Sequence, residues 1–177
     1  MDLETLKYPI GRFVTPQSAS AQQRTRLIND IRQLPTLVEI AVQNLDEHQL
    51  QTPYRPDGWT IAQVVHHLVD SHMNALTRFK LALTEYNPVI KPYDEAAWAA
   101  LPDVSNTPVN VSITLLHALH TRWSNLLEAL TDEQYERTFV HPESKQTFKL
   151  WQTLASYSWH GLHHLTHIVN LKESKGW

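Results

Sequence analysis

Between His160 and His167 the chain sets four histidines in eight positions, His160, His163, His164 and His167, out of eleven in 177 residues. At about 100° per residue of α-helix, His160 and His164 fall roughly one turn apart and about 40° offset, so both imidazoles reach one point from one face. His167 continues that stripe, and His163 lies about 60° to one side. Imidazole is the commonest nitrogen donor to zinc and its neighbours, and an i, i+4 pair closes a chelate on a rigid rod. Two donors leave such a site unfinished. The third must arrive from elsewhere in the chain, which turns a local motif into a constraint on the whole fold.

The segment Val64-Val65-His66-His67-Leu68-Val69-Asp70-Ser71-His72 is the other histidine-dense stretch and also reads as helix. A lone histidine among apolar residues is ordinarily a hydrogen-bonded core or surface group. Two clusters on two amphipathic helices call for more, and we expect the helices to pack together and share one divalent ion through His67, His160 and His164.

Hydrophobic periodicity gives four long helices. The first starts near Ser18 or Ser20 and carries Leu27, Ile31, Leu34, Leu37, Val38, Ala41 and Leu45 at helical spacing, with Pro35 expected to kink or split it. After the turn cluster from Pro53 to Trp59, Thr60 and Gln63 form a capping box for a second helix reaching about Glu85. Its apolar face is Ile61, Val64, Val65, Leu68, Leu76, Phe79 and Leu83. Thr107 and Pro108 read as the cap and first-turn proline of a third helix reaching Leu130, with Leu115, Leu116, Leu119, Trp123, Leu126 and Leu127 inward. The fourth occupies roughly residues 149–172. Residues 1–17 read as an extended arm and 135–148 as a β-hairpin turning at His141–Lys145. A proline-rich connection, 88–108, holds a short helix around Asp94 to Leu101.

The expectation is one all-α domain over residues 1–177, a four-helix bundle. His67 lies about 7 residues, or ~10 Å, into its helix, and His160 and His164 lie ~12 to 18 Å before the end of theirs. Those levels coincide if the second and fourth helices run antiparallel. The second and third helices are then parallel, the order is up-down-down-up, and the segment 86–107 is a long crossover, for which ~20 extended residues reach over ~60 Å.

With no cysteine, disulfides, Cys-ligated zinc and a cysteine nucleophile are excluded. A net charge of −3, with 15 basic against 18 acidic side chains and no long run of either, makes nucleic acid an unexpected partner. No run approaches the ~20 apolar residues that span a bilayer. The start, Met1-Asp2-Leu3-Glu4, lacks a basic region followed by an apolar core. A cytoplasmic protein with no membrane partner is the simplest expectation.

Three neutral imidazoles leave the charge of a divalent ion uncompensated and at least one position open, whereas structural zinc sites are closed by four protein ligands. Water held there would have its pKa lowered toward ~7, giving the nucleophile for hydrolysis of a small substrate. A small thiol in the same place would become a thiolate suited to S-transfer. Hydrolysis calls for a nearby carboxylate base, and the His-Glu-x-x-His pattern that would supply one is absent. Asp70, one turn past His67, is a candidate to orient a ligand or take a proton, beside its reading as a solvated carboxylate. The Glu-x-x-His ligation of di-iron bundles is also absent. Hydrolysis, thiol transfer and a metal-binding module without turnover all stay open on the residues alone. Protonated imidazole cannot ligate, so metal loading is expected to fall as pH drops through ~6.5.

The remaining histidines read more plainly: His117 and His120 as supporting or core-edge donors, His66 and His72 as flanking the site or bonding across helices, His141 in the hairpin turn, His48 solvated. Trp59, Trp98, Trp123, Trp151 and Trp159 read as core and pocket wall.

Trp59-Thr60, His66-His67-Leu68 and Trp159-His160-x-x-His163-His164-x-x-His167-Ile168 resemble the DinB-like superfamily of metal-binding four-helix bundles. Within it the chain is similar to the YfiT branch of metal-dependent hydrolases, which includes a bacillithiol S-transferase. Tyr8-Pro9-Ile10-Gly11, Asp70-Ser71-His72-Met73-Asn74, Arg78-Phe79-Lys80-Leu81, Lys91-Pro92-Tyr93-Asp94-Glu95, Leu119-His120-x-Arg122-Trp123 and His141-Pro142-Glu143 extend the likeness over nearly the whole chain, in order. The resemblance implies one divalent ion per chain, zinc or nickel, on His67, His160 and His164. It also implies a small-molecule substrate or a low-molecular-weight thiol, a homodimer and a cytoplasmic location. The superfamily commonly has glutamine where this chain has His167, which makes His167 a candidate fourth donor.

Overall fold

The computed structural model describes residues 2–177. Most of its helices open on a side chain that takes up N–H groups left over at a helix start. Asp2 accepts from Thr5 N at α1 (Leu3–Lys7). Reciprocal capping boxes follow: Ser20 with Gln23 at α2 (Ala21–Val42), Asp46 with Gln49 at α3 (Glu47–Leu50), and Thr60 with Gln63 at α4 (Ile61–Thr84). Asp94 caps α5 (Glu95–Ala99), and Pro102 stands in the first turn of α6 (Pro102–Asn106). Then come α7 (Val109–Glu128), α8 (Asp132–Tyr135), the strands β1 (Thr138–His141) and β2 (Gln146–Lys149), and α9 (Leu150–Lys175). The last helix ends on Gly176 at φ +70°, a left-handed turn that lets Trp177 N reach Lys172 O at 3.1 Å.

Cross-helix bonds give the directions. His66 bonds Ser112 and His72 bonds His120, so α4 and α7 run parallel. His67 meets His160 while Arg78 meets Tyr157, so α4 and α9 run oppositely. Asp30 with Ser158 and Ala41 with Lys172 make α2 parallel to α9, and Arg32 with Glu128 and Glu39 with His117 make it antiparallel to α7. The bundle is therefore up-down-down-up. α2 and α4 each pack against α7 and α9. Leu34, Val64, Val65, Leu68, Leu116 and Ile168 fill one end of the core, and Phe79, Trp123, Leu127, Leu150 and Leu154 the other.

The crossover from α4 to α7 does more than span the bundle. Its start lies beside β1, with Val140 N donating to Pro88 O at 2.8 Å and Ile90 N to Val140 O at 3.0 Å. Arg137, just before β1, donates to the carbonyls of Ala82 and Glu85, which finish α4. β1 and β2 pair antiparallel from Thr138–Lys149 to His141–Gln146.

Several expectations need correction. α2 runs unbroken through Pro35. Thr107 does not cap α7: it closes α6, and Pro108 stands at the N-cap of α7 with no side-chain bond. Leu37 and Leu115 are 40% and 44% exposed, because each lies about 100° round from its inward neighbour, Val38 or Leu116. His141 is the last residue of β1 rather than part of the turn. The arm contains α1, and α3, α6 and α8 are single turns too short to carry a periodicity.

Candidate metal centre

His67 stands in the second turn of α4 and is 4% exposed. The antiparallel crossing with α9 brings its Nε2 to 3.2 Å from Nε2 of His160. One ring nitrogen from each of His67, His160 and His164 lies within 4.8 Å of the others. Two nitrogens held at 2.0–2.1 Å by a tetrahedral ion stand about 3.3 Å apart, so the His67–His160 contact already has the length of a coordination edge. His164 Nδ1 is buried without a hydrogen-bond partner. The trio has the spacing and donor chemistry to hold a divalent ion, and its members are the three candidates His67, His160 and His164.

No carboxylate belongs to this group. Burial holds the rings neutral: it lowers the pKa of His67 to about 4, and those of His160 and His164 well below the usual imidazole value, with neighbouring imidazoles adding to the effect for those two. Neutral imidazole is the ligating form. Trp59 walls the site, its ring centroid 4.6 Å from that of His67 and stacked 6.3 Å from that of His164.

A second trio, His163, His164 and His167, lies within the same mutual reach. It shares His164, so the two trios compete for one ring. Two dications sharing one imidazole would repel strongly, and neither trio includes a carboxylate to offset that. The outer rings are also packing groups, and their Nδ1 atoms, like that of His164, are buried without a hydrogen-bond partner. His163 stacks on Trp159 at 4.5 Å, His167 stacks on Tyr54 at 3.9 Å, and His167 Nε2 donates to Lys7 O at 3.3 Å. Phe13 meets Trp159 at 5.9 Å, so the N-terminal arm lies over this end of α9.

The other sequence candidates separate. His66 bonds Ser112 Oγ at 2.7 Å, and His117 pairs with Glu39 at the surface. Asp70 is half-buried, and its pKa is raised to about 6 by burial and then by Asp103. It has no side-chain bond to a site histidine. Trp123 and Trp151 are core, whereas Trp98 is 37% exposed and packs on Tyr93. His72 and His120, read only as supporting groups, form a bonded file behind His160.

Beside His160 opens a cavity of about 310 Å³ walled by Phe13, Phe139, Phe148, Tyr157, Arg78, Glu95 and His141. Sequence reading placed none of these at the site, because they come from the arm, α4, α5, the hairpin and α9 and share no spacing. Arg78 donates to Tyr157 Oη at 2.9 Å. Glu95 has its pKa raised by desolvation, which Arg78 partly counters.

Residues 30–168 match the DinB superfamily. A protein of Bacillus mycoides (strain KBAB4) named "Putative metal-dependent hydrolase" is 50% identical over 175 residues, covering 99% of this chain and all of its own length. A Bacillus cereus (strain 03BB102) protein of the same name matches equally. Among solved structures, YfiT from Bacillus subtilis, described as a probable metal-dependent hydrolase with an unusual four-helix bundle topology, superposes with a TM-score of 0.96. It is 46% identical, over 98% of this chain and 99% of that one.

Proposed function

The chain belongs to the DinB superfamily, and we propose that it is a metal-dependent hydrolase of a small substrate, with one divalent ion held by His67, His160 and His164. The observation that carries this reading is the 3.2 Å approach of His67 Nε2 to His160 Nε2 across two antiparallel helices, at the wall of a cavity. Imidazole donors suit zinc and nickel. Such an ion, when bound, supplies Lewis acidity that activates water near neutral pH.

The chain's own residues do the rest. Glu95 lines the same cavity as His160 and is the carboxylate that the helix motifs lacked. Its partial desolvation raises its proton affinity toward the working range of a general base, and it takes the proton released when water attacks. Arg78, braced by Tyr157, is the cation available on that wall to orient a polar or anionic group of the substrate. The phenylalanines hold the apolar remainder and exclude bulk water.

The test is turnover by zinc-loaded and nickel-loaded protein on a panel of small esters and amides, alongside conjugation of a chromogenic electrophile with a low-molecular-weight thiol. Metal-dependent hydrolysis that falls in Glu95→Gln is the expected result. Conjugation faster than the thiol achieves alone, with no hydrolysis, would replace this reading with thiol transfer.

A further inference from the structure

Pro35 stands four residues after Ile31 in α2, and a proline has no N–H to return to the carbonyl four residues back. The Ile31 carbonyl thus faces the bundle interior without its usual helical donor. His120 of α7 takes it, with Nδ1 at 2.5 Å from Ile31 O. A file of imidazoles continues from there: His120 Nε2 lies 2.9 Å from His72 Nδ1, and His72 Nε2 lies 3.1 Å from His160 Nδ1. His72 and His120 are 0% and 1% exposed.

Proton counting gives the file a direction. A carbonyl oxygen only accepts, so His120 carries its hydrogen on Nδ1. A neutral ring has one N–H, which leaves His120 Nε2 bare to accept from His72 Nδ1–H. His72 Nε2 is then bare and accepts from His160 Nδ1–H. The remaining nitrogen of His160, Nε2, is left with a free lone pair, and that is the atom 3.2 Å from His67. Burial with no carboxylate bonded to any of the three rings keeps them neutral, as the count requires.

We propose that His120 and His72 are positioning residues which, anchored on the carbonyl freed by Pro35, lock His160 as the Nδ1–H tautomer and so present its Nε2 to a divalent cation. The inference rests on reading His160 as a metal ligand. Ligating histidines ordinarily donate their second nitrogen to a carboxylate or a backbone carbonyl. Here the carbonyl lies two rings away, on α2, and the imidazoles of α4 and α7 transmit its polarity without bringing a charge into the core.

Long-range proton–nitrogen spectra of the imidazoles in the metal-free full chain read the tautomers directly. The Nδ1–H form is expected at His120, His72 and His160, and the Nε2–H form at any of them overturns the proposal. Zinc affinity gives a second readout. His120→Leu is expected to bind about 10- to 100-fold more weakly than wild type. His120→Gln, whose amide oxygen can replace the Nε2 acceptor, is expected to recover most of that loss. Equal affinity in all three proteins would overturn the positioning role. A wild-type chain that shows these tautomers yet binds neither zinc nor nickel would sink the hydrolase reading instead, leaving the tautomer file to stand on the spectra.

Discussion

His67 Nε2 and His160 Nε2 meet at 3.2 Å although 93 residues separate them in the chain. Two bare nitrogens that close repel, so the pair needs either a shared proton or a shared cation. The parallel course of α4 and α7 and the long crossover between them are what make the meeting possible.

Within the histidine cluster the two trios predict different losses. His160→Ala should abolish stoichiometric zinc binding, because His160 belongs to the first trio and not to the second. His163→Ala should leave it intact, since His163 is held by Trp159 and packs beneath the arm. Metal content after gel filtration checks this, and the reverse pattern would move the ion to the second trio.

Acid should destabilise the metal-free protein earlier than carboxylate titration would. Burial lowers the pKa of His67, His120, His163 and His167 to about 4 and holds those of His72, His160 and His164 well below the usual imidazole value. The unfolded chain titrates near ~6.5, so below that pH it binds more protons than the folded one. Stability is complete above ~6.5 and is lost as pH falls toward 4. Urea midpoints at pH 7, 6 and 5 should fall in that order, and an unchanged midpoint at pH 5 would contradict the buried-neutral assignment. The same downward shift moves the expected loss of metal loading to a pH below the ~6.5 of ordinary imidazole.

Most of this architecture was legible before the structure, for identifiable reasons. His160 and His164 at i, i+4 and His67 in a capped helix carry periodic signals, and matching their levels already demanded the antiparallel pair and the crossover. What escaped was non-local. Pro35 has a local effect that sequence rules describe, a broken helix, yet here its consequence is a carbonyl handed to His120 on another helix. Glu95 and Arg78 reach one cavity only through tertiary packing, and Leu37 and Leu115 show that an apolar residue on a helix flank need not be covered.

The crossing of α2 and α9 depends on a missing side chain. A Cβ at Gly161 would sit 2.5 Å from Leu34 Cδ2, and Leu34 is 1% exposed. Gly161→Ala should cost about 1–3 kcal/mol by overpacking, and adding Leu34→Ala should recover part of it. Denaturant unfolding of both variants tests this. Full stability in Gly161→Ala alone would show that Leu34 can shift at no cost.

Glu95→Gln should lower turnover by about 10²- to 10⁴-fold, the usual contribution of a general base, at unchanged metal content. Parallel loss of metal and activity would instead make Glu95 part of ion retention.

The most direct test of the whole account is a calorimetric titration of metal-free protein with zinc, wild type beside His67→Ala. One ion per chain in wild type and none in His67→Ala is the result this structure predicts. An unchanged stoichiometry and affinity in His67→Ala would contradict it, since the cation would then not sit between the two helices.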